Sequence, residues 1–204
     1  MKRIKMMLAA ASFVAASTVA ASAVTVIDFG AGPSQTATAG NSLTYTVGDI
    51  TAMVSGHRAD ATGITGNDLV RAFTGSGLGV GVVKPNNGIS GQLGYGEMVL
   101  LMFNKPVKII AATFSLGSST GDGDDATIFL NGANIGAMDL VNEHPAATLL
   151  GLVGKKLGIA ALGANDAFKL RSITISAVPL PPAALLLLSG LAGIGALARR
   201  RKQK

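Results

Sequence analysis

Eight of the seventeen basic residues in this 204-residue chain crowd its two ends, and each cluster borders an uncharged apolar run. Lys2, Arg3 and Lys5 open the chain; Arg199, Arg200, Arg201, Lys202 and Lys204 close it. The segment between, 24–177, holds the other nine bases and all eleven acids, so it is slightly acidic although the whole chain carries +6. The pattern divides the chain into two terminal segments and one middle segment of about 154 residues that must supply the folded core. Because the basic excess belongs to the ends, the middle offers no electrostatic case for DNA or RNA. The chain has no Cys, which removes disulfides, thiol chemistry and Cys/His zinc sites.

At the N-terminus the three bases precede an uncharged stretch over 6–16, and small residues follow as far as Ala21-Ser22-Ala23. Charge, apolar run and small-residue cleavage site, in that order, make a secretory signal peptide over 1–23. Ala21 and Ala23 fit the two small pockets of signal peptidase, with the cut expected after Ala23. A buried N-terminal helix would need neither the charges nor the small-residue site.

At the C-terminus Val178, Pro179, Leu180, Pro181 and Pro182 are followed by sixteen uncharged residues, 183–198, and then by the basic tail 199–204. As a helix that run reaches about 24 Å, just short of a hydrocarbon core of about 30 Å. Residues near 177–180 and the long Arg stems extend its reach. The cluster of Arg199, Arg200, Arg201 and Lys202 stays cytoplasmic under the positive-inside bias, so the rest of the chain is exported.

This order of proline motif, modest apolar helix and terminal Arg cluster resembles the PEP-CTERM sorting signal, in its VPLPA-CTERM variant. Val178 to Pro181 match the motif; Pro182 stands where Ala is expected, with Ala183 one place later. The resemblance implies recognition by an exosortase, a membrane cysteine transpeptidase that cuts near the prolines and passes the exported domain to the cell surface. It also implies transient anchoring in the inner membrane and association with exopolysaccharide or biofilm matrix. Consecutive prolines favour an extended backbone, which a peptidase cleft can bind.

The middle segment reads as all-β. Short β-branched and aromatic runs at 24–29, 42–47, 50–54, 78–83, 98–103, 107–116, 126–130, 157–161 and 168–175 are strand candidates. Asn104-Lys105-Pro106 breaks the series, Asn131-Gly132 is a hairpin signal, and 146–153 is either a strand or a short helix. In the last run Phe168 and Leu170 share one phase while Ile173 and Ile175 share the other, which predicts a bulge near Ser172. Many short strands with frequent turns predict an antiparallel β-sandwich of jelly-roll type, with Phe114 or Phe129 in its core. The order of IDFG, GLGV, GEMVLLMF, NKPV, FLNG and FKLRSITI also resembles the exported β-domain that accompanies this sorting signal.

Candidate chemistry in the middle segment is sparse. The glycines of GSGLGVG miss the dinucleotide-binding spacing in every frame and fit a strand packed closely on a neighbour. Asp122, Asp124 and Asp125 offer oxygen ligands to Ca²⁺, with Asp28 or Asp166 brought in from elsewhere, although the EF-hand spacing fails. An exposed Asp-Gly turn explains the same residues. His57 and His144 sit in polar segments and read as solvated loop residues; Glu97 opens a strand without a partner carboxylate. Tyr45 alternates with Leu43 and Val47 and reads as core, which leaves Tyr95, between glycines, as the exposed ring for a sugar contact. The chain is therefore read as a non-enzymatic exported surface or matrix protein without a required cofactor. A carbohydrate-binding module, aided by calcium, is the alternative.

Overall fold

The computed structural model describes residues 23–38, 40–80, 89–90, 96–116, 125–140, 146–163 and 166–178. The expected signal peptide as far as Ser22, the expected helix of 183–198 and the basic tail lie outside these residues, and no helix among the described residues is long and apolar enough to cross a membrane. Ser22–Val178 forms one compact unit. It is built from β1 (Val24–Asp28), β2 (Gln35–Ala37), β3 (Leu43–Val47), β4 (Ile50–Asp60), β5 (Gly63–Asp68), β6 (Val70–Phe73) and β7 (Gly77–Val80). These are followed by β8 (Ile89–Ser90), β9 (Gly96–Leu116), β10 (Asp125–Leu130), β11 (Ala133–Asp139), β12 (Ala146–Ala161) and β13 (Ala167–Ala177).

Every pairing is antiparallel, and the main path runs β11-β10-β12-β9-β13-β7-β6-β2. β9 organises it. One edge of β9 pairs with β12 along both halves, while the other pairs with β4 over 96–103 and with β13 over 107–116. The predicted break at Asn104-Lys105-Pro106 is thus a corner inside one continuous strand. Five steps along β9, from Met102 to Val107, match two along β12, so the ladder opens there and Pro106 meets no demand for an N–H. Asn104 ties the corner to the β3–β4 turn, accepting from Thr51 N–H at 3.1 Å and donating to the Asp49 carbonyl at 3.0 Å, beside a Lys105–Asp49 ion pair.

The inward residues of both parts share one core, which gives the all-β chain its β-sandwich character. Phe114 and Phe168 meet edge to face at 5.4 Å, and Phe29 meets Tyr45 in the same way at 5.0 Å. Ile27, Val99, Leu101, Ile109, Leu157, Leu170 and Ile175 fill the space between. A smaller cluster of Ala59, Met98, Phe129 and Ala160 lies apart from this core. Tyr45 packs against the main core as its alternation predicts; burial pushes its phenol pKa up, and the hydroxyl finds no partner among the described residues.

Local signals account for the joins. Asn131 (φ 51°) and Gly132 (φ 92°) both take the left-handed conformation that a type I′ hairpin needs between β10 and β11. The ambiguous stretch 146–153 is strand, the start of β12. The β9–β13 register shifts between Leu170 and Ser172, at the predicted bulge. Gly77 has φ 108°, and a Cβ there would lie 2.3 Å from the Leu170 carbonyl oxygen, so the Gly-rich run is a closely packed strand as expected. β1 closes the edge of β13 with Val24 opposite Ser176, which brings the first and last strands together.

Candidate functional site

Few of the sequence-selected residues fall where their surroundings are described. Ala21, Pro179, Leu180, Pro181, Pro182, Arg199, Arg200, Arg201, Lys202, Tyr95, Asp122, Asp124 and His144 lie outside the described residues. Ala23 and Val178 are exposed at the two ends of the compact unit. Asp125 is the first residue of β10, and its backbone N–H meets the Asp166 carboxylate.

The Asp125–Asp166 contact is a loop clamp. Asp166 is buried, and its carboxylate accepts from Asp125 N–H at 3.2 Å and from Gly163 N–H at 2.6 Å. It thereby fastens the start of β10 to the connection between β12 and β13. Desolvation and the charges of Asp166 and Asp139 hold the Asp125 carboxyl above its ordinary pKa. A cation would relieve that repulsion, yet among the described residues no three His, Cys, Asp or Glu side chains gather closely enough to share one. Asp28 does not join them: it accepts from Gly30 N–H at 2.8 Å and pairs with Arg171 at 3.3 Å.

His57 departs from expectation. It lies within β4, half-buried, because the strand runs to Asp60 and carries the ring into the sheet. Its Nε2 meets Ser55 Oγ at 2.8 Å, two residues along the same face. Burial lowers the imidazole pKa; the Gly66 backbone and the Asn67 side chain lie close enough to oppose that shift, although Nδ1 completes no hydrogen bond of good geometry. Glu97 sits one residue into β9, level with Arg58 of β4.

One constellation escaped the sequence reading. Phe73 of β6 has the Arg71 guanidinium over its ring at 4.7 Å and the Lys169 ammonium of β13 at 5.5 Å from its centroid. β7 runs between β6 and β13, and Gly77 and Gly79 supply no side chain there, which lets Lys169 reach across to Phe73. Among the described residues neither Arg71 nor Lys169 has a carboxylate at ion-pair distance. A signal existed in the alternation of VRAF, which turns Arg71 and Phe73 outward together, but only the fold brings Lys169 to them.

No family model matches the chain, and no curated protein matches it. Among solved structures it is similar to one described as "X-ray structure of GH31 CBM32-2 bound to GalNAc". The two share 14% identity over 75% of this chain and 94% of that one, with a TM-score of 0.28. A superposition this loose bears on neither ligand nor site.

Proposed function

We propose that the chain is a non-enzymatic exported surface or matrix protein. Its jelly-roll-like β-sandwich is delivered by a signal peptide and processed by an exosortase through the C-terminal motif. The observation that supports this reading is a coincidence of boundaries. The compact unit spans Ser22–Val178, and the sequence marks a signal-peptidase site at Ala21-Ser22-Ala23 and a sorting motif beginning at Val178. β13 ends at Ala177 and Val178 is exposed, so a cut after either motif residue leaves every described strand intact.

The test is the mass of the native product in a host that carries the cognate sortase. The wild-type protein is expected to begin at Val24 and to lack the segment from Ala183 onward. Pro179→Ala with Pro181→Ala is expected to accumulate uncut in the inner membrane, whereas a permanent anchor would ignore both changes. A mature protein that still ends at Lys204 sinks the proposal. The second reading, a carbohydrate-binding module aided by calcium, draws on the raised carboxyl of Asp125 beside Asp166 and Asp139. Binding to polysaccharide beads that a chelator abolishes would favour it.

A further inference from the structure

We propose that the outer face of β2, β6, β7, β13 and β9 binds a carboxylated polysaccharide through Arg71 and Lys169, held apart and oriented by Phe73. The proposal rests on the exported-protein reading for its setting, and its chemistry comes from one row of residues across five strands. Thr36 stands opposite Arg71, and Arg71 opposite Gly79. The Leu78–Leu170 pair sets Gly79 beside Lys169, and Lys169 stands opposite Ser115. The neighbours Ala37, Ala72, Leu78, Phe114 and Leu170 are buried, so by strand alternation the row takes the other face: Thr36 and Arg71 are exposed, Lys169 and Ser115 half-buried, and Gly79 between them is buried. The row reads hydroxyl, cation, glycine, cation, hydroxyl.

Two like charges share one ring, with no described carboxylate to separate them. Each is attracted to the aromatic face, and their mutual repulsion is relieved by an anion set between them. Desolvation already lowers the Lys169 pKa, so its charge has lost water that an anionic group can replace. Gly79 of β7 stands between Arg71 and Lys169 in the row and adds no side chain of its own. At about 4.8 Å per strand the row spans roughly 19 Å, which suits a chain lying across the strands rather than one small ion.

The chemistry favours a sugar acid polymer over nucleic acid. A polyphosphate duplex is gripped by many cations, whereas this segment has more acids than bases, and the row offers two cations flanked by hydroxyls. Carboxylates fit the cations and ring hydroxyls fit Thr36 and Ser115. Arg171, the next outward cation on β13, is already engaged by Asp28.

The test is binding of the full chain, kept in mild detergent, to polygalacturonate, with neutral dextran and polyphosphate as comparisons. Wild type is expected to bind polygalacturonate at about 50 mM NaCl, to release it as salt rises, and to ignore dextran. Arg71→Gln with Lys169→Gln is expected to weaken binding at least about tenfold with an unchanged thermal transition. The charge-keeping pair Arg71→Lys and Lys169→Arg should stay within about threefold of wild type. Removing two charges elsewhere, Lys105→Gln with Lys156→Gln, should change binding by no more than about twofold. Absence of wild-type binding overturns the proposal. So does equal loss in the Lys105/Lys156 control, or tighter binding of polyphosphate than of polygalacturonate. The measurement needs no processing by the host, so a failed export or an uncut C-terminus counts against the proposed route and leaves this result to be judged by itself.

Discussion

Burial keeps the His57 imidazole below its ordinary pKa of 6.5, so the unfolded chain takes up a proton that the folded chain resists. Stability from this residue is full above the unfolded value and is lost as pH falls from there toward the folded one. Urea midpoints of wild type should therefore drop between pH 7.5 and 5 by more than those of His57→Gln, which keeps a polar partner for Ser55. Identical drops would show that the ring titrates freely. At Phe114 the effect is one of volume: it is fully buried and meets Phe168 edge to face. Truncation to Ala should lower the free energy of unfolding by about 3 to 5 kcal/mol in chemical denaturation. The sequence carried the core role of Tyr45 in its alternation with Leu43 and Val47, and offered Phe114 or Phe129 as a core ring. It did not carry the placement of His57, because the polar run after Val54 has no apolar alternation to mark a strand.

Elements with a packed face were legible and elements without one were not. Among the described residues β5 (GITGND) and β11 (ANIGAMD) each pair on one edge, and their largely exposed residues give no period to read. β2 is three residues long. The bulge near Ser172 was legible because a change of phase in an apolar strand can only mean an extra residue. The corner at 104–106 was misread as a break because proline announces lost pairing, and lost pairing is compatible with a strand that continues beyond it. The β10–β11 hairpin reaches further than its turn signal suggests. Asn131 Oδ1 accepts from Lys155 N–H at 3.0 Å and Lys156 N–H at 3.2 Å, which holds β12 where its register shifts. Asn131→Gly preserves the left-handed turn and removes these acceptors, so it should lose about 1 to 3 kcal/mol, whereas Asn131→Asp should lose less. Urea denaturation of the two variants measures the difference; equal loss would mean that the turn conformation, not the clamp, carries the stability.

For the whole molecule, the absence of cysteine leaves the shared core to supply the stability of the compact unit. Because β9 pairs with β4, β12 and β13, its loss would dismantle both parts of the sandwich at once. A fragment spanning 24–177 should therefore melt in one cooperative thermal transition, with coincident curves from circular dichroism and fluorescence of Tyr45 and Tyr95. A gradual, probe-dependent loss would show that the terminal segments are needed to complete the fold. The candidate site was less legible than the fold: the row through Arg71 and Lys169 joins residues 98 positions apart in sequence, and only strand order makes them neighbours.

The antiparallel seating of β1 on β13 also sets how the unit answers to tension. Pulling Val24 away from Ala177 opens the five rungs between β1 and β13 one after another, as a zip opens, so each step meets the resistance of a single rung. A pull between Lys169 and the C-terminal exit at Val178 runs along β13 itself, so the load passes through an already extended backbone and opens none of the rungs that join β13 to its neighbours. The domain is mechanically weak between its own ends and strong between its C-terminus and the face that carries Lys169.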